Sequence, residues 1–192
     1  MMNGLIRIFS IIFGVIFFSL SFVVSLETLI RKLFNISLGG IDELSGYAVA
    51  VAAGLAFSVT LIQRAHIRID IVTARLSKQK QAFLNWLASV SMAVLGVFCI
   101  WLAYGVLGDT VAYGSRAPTV WATPLVYPQA PWFLALLIFC LLSVYFAVQA
   151  TRLLLRRDTE ALNRDFGPRG AKEELREELE DIRHRDEEVV TP

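Results

Sequence analysis

The chain has 192 residues, of which 56% are hydrophobic, and a formal net charge of +1. Four long apolar stretches account for a mean hydropathy of +0.59, so the composition indicates an integral membrane protein and argues against a soluble domain. The charge is uneven: residues 1–157 carry twelve basic and five acidic side chains, whereas residues 158–192 carry six and twelve. We therefore predict an all-α membrane domain of four helices at 1–157 and an acidic cytoplasmic tail at 158–192.

The first predicted span covers residues 8–26, between Arg7 and Glu27. The short basic start and the Val23-x-Ser25 pattern would also fit a cleaved signal peptide. The apolar run is, however, longer than the roughly 7–15 residues usual for the apolar part of such a peptide. We therefore expect this segment to remain as a membrane helix.

The second predicted span, residues 44–62, contains 19 residues without a charge, which measure about 28 Å as a helix and can cross the hydrocarbon core. Asp42 precedes the span and can cap its N-terminus. Small residues recur at every fourth position on one face, and this row consists of Gly46, Ala50, Gly54 and Ser58. Such rows let helix backbones approach closely in lipid, so we predict helix packing along this face. Alanine and glycine are, however, also common in membrane helices in general.

A basic segment follows the second span at once. Residues 64–80 hold one acidic side chain, Asp70, and five basic ones: Arg64, Arg68, Arg75, Lys78 and Lys80. As a helix, residues 64–83 would present one apolar and one basic stripe, so we predict an amphipathic segment in the membrane interface. His66 and Asp70 are four residues apart and can pair on a helix, either as a contact with a partner subunit or as ordinary interfacial residues.

The third predicted span covers residues 82–107, and the fourth covers residues 131–155. Pro131 is favourable as a first helical residue. The loop between these spans is rich in proline and aromatic residues, which suits a loop that rests on the membrane or on a partner, or an ordinary surface connection. Beyond Gly167, residues 171–188 predict a soluble, charged helix whose three spaced apolar residues are too few for a stable coiled coil.

The distribution of basic residues predicts the orientation of the chain. With both termini in the cytoplasm, nine basic residues near the span ends lie inside, and three, Arg31, Lys32 and Arg116, lie outside. Because basic residues are retained on the cytoplasmic side, nine against three supports this orientation. The same clustering at span ends argues against a nucleic-acid-binding patch.

The spans offer no groups that point to catalysis or cofactor binding. No charged residue lies deep in any of them and none contains a histidine, whereas pumps and ion-coupled carriers place ionisable groups inside the bundle. Cys99 and Cys140 fall within apolar stretches, outside any metal-site or redox spacing, and are predicted to be small buried residues. We predict no enzyme activity, no catalytic or metal site, and no cofactor.

Several of these residues together resemble the small membrane subunit of tripartite ATP-independent periplasmic (TRAP) transporters. The pattern begins with Glu43 and Leu44 at the start of the second span and Gly54 within it. It continues with a His-x-Arg-x-Asp segment at residues 66–70. The loop between the third and fourth spans adds Ser115, Pro118 and Pro124. The likeness covers about residues 10–155.

The resemblance implies a small, non-catalytic subunit of a bacterial inner-membrane importer that takes up carboxylate solutes with a sodium gradient. Its partners would be a large membrane subunit that carries solute and sodium, a periplasmic solute-binding protein, and the lipid bilayer. The small subunit would pack against the large one and extend its stationary scaffold. The candidate residues for the contact between subunits are Glu43, Arg64, His66, Arg68 and Asp70.

Other classes of membrane protein fit the residues less well. A membrane anchor of a redox enzyme would need haem ligands within the spans. A four-span exporter would need a carboxylate deep in the membrane, whereas Glu27 lies near the edge of its span. A four-span interaction or anchor protein of another complex remains the alternative.

Overall fold

A computed structural model describes residues 2–37, 39–64, 76–167 and 179. Within this part of the chain the regular structure is helical: α1 (Met2–Phe34), α2 (Ile41–Gln63), α3 (Lys78–Tyr113), α4 (Val126–Leu155) and α5 (Thr159–Phe166). Helices α1 to α4 are long and apolar enough to cross a membrane, which confirms the predicted all-α fold with four spans. The predicted interfacial segment lies mainly at residues 65–75, outside the described residues, and so does nearly all of the charged helix after residue 167.

The helices extend beyond the predicted spans. Helix α3 has 36 residues and a length of about 54 Å, so its ends project beyond a hydrocarbon core of about 30 Å. The ends of the predicted spans are placed next to charged residues. In the structure, α2 and α3 instead end where the backbone is left-handed, at Arg64 (φ 56°) and Gly114 (φ 60°). Helix α4 begins five residues before Pro131. The missing N–H of that proline leaves the Tyr127 carbonyl without its usual helical donor.

The four membrane-length helices pack as an open row. In the described part of the chain, the main contacts join α1 to α2, α2 to α4, and α4 to α3. The order across the row is therefore α1, α2, α4, α3, and the row is not closed into a ring by a main contact between its two edge helices. Two broad faces and both edge helices carry exposed apolar side chains, as suits surfaces that meet lipid or another membrane subunit.

Small side chains line the contact between α3 and α4. The buried residues of α3 recur at intervals of three, four or seven positions: Ala82, Asn85, Ser89, Ala93, Gly96, Ala103 and Thr110. Gly96 lies so close to α4 that an added Cβ would be 2.6 Å from Ser143 Oγ and 3.2 Å from the Cα of Cys140. Cys140 is buried as predicted, whereas Cys99 is only partly buried.

Packed structure continues past the predicted domain boundary at residue 157. Helix α5 begins after Asp158, whose Oδ1 accepts a hydrogen bond of 3.0 Å from the Ala161 amide, an ordinary N-terminal cap. Leu162 and Phe166 on α5 are buried against α3 and α4. The eight residues of this short helix are therefore packed against the membrane-length helices α3 and α4.

Candidate functional site

The described candidate residues lie at opposite ends of α2. Glu43 is in the first turn of this helix, and Arg64 follows its last residue, so about 32 Å of helix separates them. We call these two ends of the row the Glu43 end and the Arg64 end. The other candidates for subunit contact, His66, Arg68 and Asp70, lie outside the described residues. Glu43 and Arg64 thus do not share one site.

At the Glu43 end, the Glu43 carboxylate joins α2 to the loop between α3 and α4. The side chain is 8% exposed. Its Oε1 accepts a hydrogen bond of 2.7 Å from the Tyr47 hydroxyl, one turn further along α2. The loop supplies two further hydroxyls, from Thr119, which donates to Oε2, and from Thr123. A carboxylate suits this position, because it accepts several hydrogen bonds and stands at the positive end of the helix dipole.

The same loop also packs on the turn before α2. Gly40 has a left-handed backbone with φ 81°, and an added Cβ there would be 2.5 Å from Cδ2 and Cε2 of Trp121. The Trp121 ring therefore lies directly on the glycine. Within the loop, the Ala117 amide donates to the Thr123 carbonyl at 2.9 Å. Together with the Glu43 contacts, these interactions fix the loop over the start of α2.

Glu27, near the C-terminal end of α1, is a second buried carboxylate at the Glu43 end. The side chain is 9% exposed, and its Oε1 accepts a hydrogen bond of 2.9 Å from the Ser37 hydroxyl. Its Oε2 has no hydrogen-bond partner among the described residues. Ser37 lies in the connection to α2, so this contact ties the end of α1 to the chain that leads into α2.

The row of small residues on α2 meets α4 over its second half. Gly54 and Ser58 are buried, and a Cβ added to Gly54 would be 2.8 Å from the Cβ of Ala135 on α4. Ala50 is partly buried. Gly46, by contrast, is exposed and has open space where a Cβ would stand. In this chain by itself, the close approach to α4 therefore occurs at Gly54 and not along the whole row.

At the Arg64 end, polar side chains join α5 to the neighbouring helices. Arg64 donates from its guanidinium to the Arg164 carbonyl at 2.6 Å. Asn163 accepts a hydrogen bond of 3.0 Å from Asn85 and donates one of 2.9 Å to the Lys78 carbonyl. The Arg164 side chain donates a hydrogen bond to Asp165, and this bond, together with the carboxylate charge, raises the pKa of Arg164.

The described arrangement holds helices and loops together. Among the described residues, no three histidine, cysteine or acidic side chains are grouped so that they could hold a metal ion. The buried carboxylates Glu27 and Glu43 accept hydrogen bonds from hydroxyls of the same chain. The chemistry of the described site is therefore that of helix and loop attachment.

Two sets of contact residues were not predicted from the sequence. Thr119 and Thr123 show no local pattern that would mark them as partners of Glu43. The residues of α5 did carry a signal: Asp158 can cap a helix, and Leu162 and Phe166 follow it with a spacing of four, which is typical of an apolar helix face. Because residues 158–192 are highly charged, the sequence pattern assigns this short helix to a soluble tail.

The family described as "Tripartite ATP-independent periplasmic transporters, DctQ component" matches residues 20–154, which is more than half of the chain and reaches from within α1 to the end of α4. Helix α5 lies beyond the matched residues. No curated protein matches the chain.

Proposed function

Because this chain belongs to the DctQ component family of tripartite ATP-independent periplasmic transporters, we propose that it serves the sodium-driven import of carboxylate solutes by extending the scaffold of the large membrane subunit. The family consists of transporter components and not of enzymes, so the chain is a small, non-catalytic membrane subunit of such a transporter. The partners in this proposal are the large membrane subunit and a periplasmic solute-binding protein.

The open row of α1 to α4 is the observation that carries the scaffold role. A closed bundle hides its apolar contacts inside, whereas this row has two broad apolar faces and two edges. In lipid, helices associate through close packing of complementary surfaces. A row that adds its helices side by side to another membrane protein widens that protein without enclosing a pathway of its own.

The charge-free centres of the spans support an accessory role. The charged residues of the described spans lie near their ends, as Glu27, Glu43, Asp109 and Arg152 do. A carrier of anionic solutes and sodium would need polar or charged groups near the middle of the membrane. We therefore assign solute and sodium binding to the large subunit.

We further propose that residues 64–70 contact the large subunit, through Arg64, His66, Arg68 and Asp70. The support for this is the His-x-Arg-x-Asp pattern and its place between two spans. Glu43 would act indirectly, because its carboxylate binds hydroxyls of its own chain and so orients the loop between α3 and α4 toward the binding protein.

The proposed orientation has both termini in the cytoplasm of a bacterium, with the protein in the inner membrane. A cysteine at Ser115 should react with an impermeant thiol reagent added to intact cells, whereas one at Lys78 should react only after lysis. The background replaces Cys99 and Cys140 by serine. Labelling of position 78 in intact cells, with position 115 protected, would contradict the orientation.

Transport should require all three components. Proteoliposomes that contain this chain alone should take up no solute, and sodium-dependent uptake of a radiolabelled carboxylate should appear only when a large subunit and a binding protein are added. His66→Ala and Asp70→Ala should lower this uptake and the recovery of the large subunit in co-purification, while the chain still inserts into the membrane. Uptake by this chain alone would make it a carrier in its own right and would refute the proposal.

A further inference from the structure

Helix α5 lies outside the part of the chain that matches the transporter family, and its apolar side is fully packed. Leu162 is 0% exposed, and Phe166 is buried beside it. Both pack against Ala82 of α3 and Ala150 of α4, with partly buried apolar residues around them. The rings of Phe166 and Phe146 meet edge to face, with centroids 6.2 Å apart, a favourable arrangement for an aromatic pair. The seat of α5 is therefore formed by two membrane-length helices.

Asn163 adds directional contacts to this apolar seat. Its side-chain amide accepts from Asn85 and donates to the backbone carbonyl of Lys78, both on α3. An amide that uses both its donor and its acceptor on one partner helix fixes the position of α5 along that helix as well as its distance. The ion pair between Lys78 and Glu160, at 3.7 Å, is exposed on both sides and contributes little.

A third helix reaches α5 through Arg64. The last carbonyls of a helix have no donor within the helix, and Arg64 at the end of α2 donates to one of them, the Arg164 carbonyl. In the row, α2 and α3 lie on opposite sides of α4 and share no main contact in the described part of the chain. Helix α5 packs against α3 and α4, and it is linked to the end of α2 by the hydrogen bond from Arg64.

The backbone turns on both sides of α5 direct this helix back against α3 and α4. Arg157 has a left-handed conformation, with φ 57°, and turns the chain back from the end of α4 toward α3. The amides of Arg157 and Asp158 close this turn on the carbonyls of Leu154 and Leu153. After α5, the Gly167 amide donates to the Asn163 carbonyl at 2.9 Å, and a Cβ at Gly167 would collide with that same carbonyl oxygen.

We propose that α5 is a clamp that holds the ends of α2, α3 and α4 together at the Arg64 end of the row. An open row of helices has no ring of contacts to keep its ends in register. Leu162, Asn163 and the Arg164 carbonyl supply that restraint. This inference concerns the chain itself and does not depend on the transport role.

The test compares Leu162→Ala with Glu160→Ala in the full chain, each purified in detergent. Glu160 is on the same helix but exposed, so its replacement controls for a change in helix sequence. Because Leu162 is completely buried, its truncation should lower the midpoint of thermal unfolding by about 5–15 °C. The control should shift the midpoint by no more than about 2 °C.

A distance measurement separates a clamp from a helix that merely adds stability. Spin labels at Gln63→Cys on α2 and Gln79→Cys on α3, in a background without Cys99 and Cys140, report the separation of two helices that lack a main contact with each other. Leu162→Ala should broaden the distribution of this distance, and Glu160→Ala should leave it unchanged.

A milder variant keeps the test decisive if the Leu162→Ala chain does not fold. Asn163→Ala retains the apolar contacts of α5 and removes only the two amide hydrogen bonds, and it should also broaden the distance distribution. An unchanged distribution in whichever of these two variants folds would overturn the clamp, even if the thermal midpoint falls.

Discussion

Gly54→Leu is expected to separate α2 from α4 and to lower the stability of the chain by about 3 kcal/mol or more, which corresponds to a fall of about 6–12 °C in the thermal midpoint. A Cβ at residue 54 would already be 2.8 Å from the Cβ of Ala135, with the backbone carbon of the same residue at 3.7 Å. Leucine adds three more carbon atoms in the same direction. The helix backbones must then move apart, because no flexible side chain is present to yield.

Gly46→Leu is the matched control, because Gly46 is on the same helix and has open space around it. Leucine is at least as favourable as glycine in lipid, so both variants should insert, and only Gly54→Leu should lose stability. The measurement is the thermal midpoint of the detergent-purified chain, read as the loss of its folded peak in size-exclusion chromatography after heating.

A second pair of variants tests whether the effect arises at Ala135. Gly54→Ala alone should destabilise the chain, and adding Ala135→Gly should restore much of the loss, because it removes the atom that the new Cβ would meet. Equal stability of Gly54→Leu and Gly46→Leu would show that α2 and α4 do not approach as closely as the structure indicates.

Gly40→Ala is expected to displace the loop between α3 and α4 and to cost about 2–4 kcal/mol. Part of this loss of stability comes from the left-handed backbone conformation of residue 40, which costs an L residue roughly 1–2 kcal/mol. The remainder comes from overlap with Trp121, whose ring atoms would lie 2.5 Å from the new Cβ, since overpacking typically costs about 1–3 kcal/mol.

The neighbouring glycine separates these two contributions. Gly39 is also left-handed, with φ 59°, but an added Cβ would be 3.8 Å from Val120, an ordinary contact. Gly39→Ala should therefore show only the backbone cost. In a double-mutant cycle of thermal midpoints, Trp121→Ala should reduce the effect of Gly40→Ala to about that of Gly39→Ala. Additive effects of Gly40→Ala and Trp121→Ala would contradict the predicted overlap.

The sequence by itself determined the class of fold and the number of spans. A stretch such as residues 44–62 is long and free of charge. Because the free-energy cost of placing charged groups in hydrocarbon depends only on the residues of the stretch itself, such spans can be recognised without the tertiary structure. The small-residue spacing on α2 likewise depends on helix geometry alone. Because this spacing depends on helix geometry alone, it identifies a packing face but does not indicate which glycine meets a neighbouring helix. In the structure, Gly54 is packed and Gly46 is exposed.

Only the tertiary structure decided which residues meet across the chain. The Glu43 carboxylate binds Thr119, 76 residues away, and a pairing of this kind depends on where the loop between α3 and α4 lies relative to α2 rather than on any local pattern. The row order α1, α2, α4, α3 and the seat of α5 on α3 and α4 are decided in the same way. Apolar periodicity shows that a face must be covered, but shape and hydrogen-bond geometry in three dimensions select what covers it.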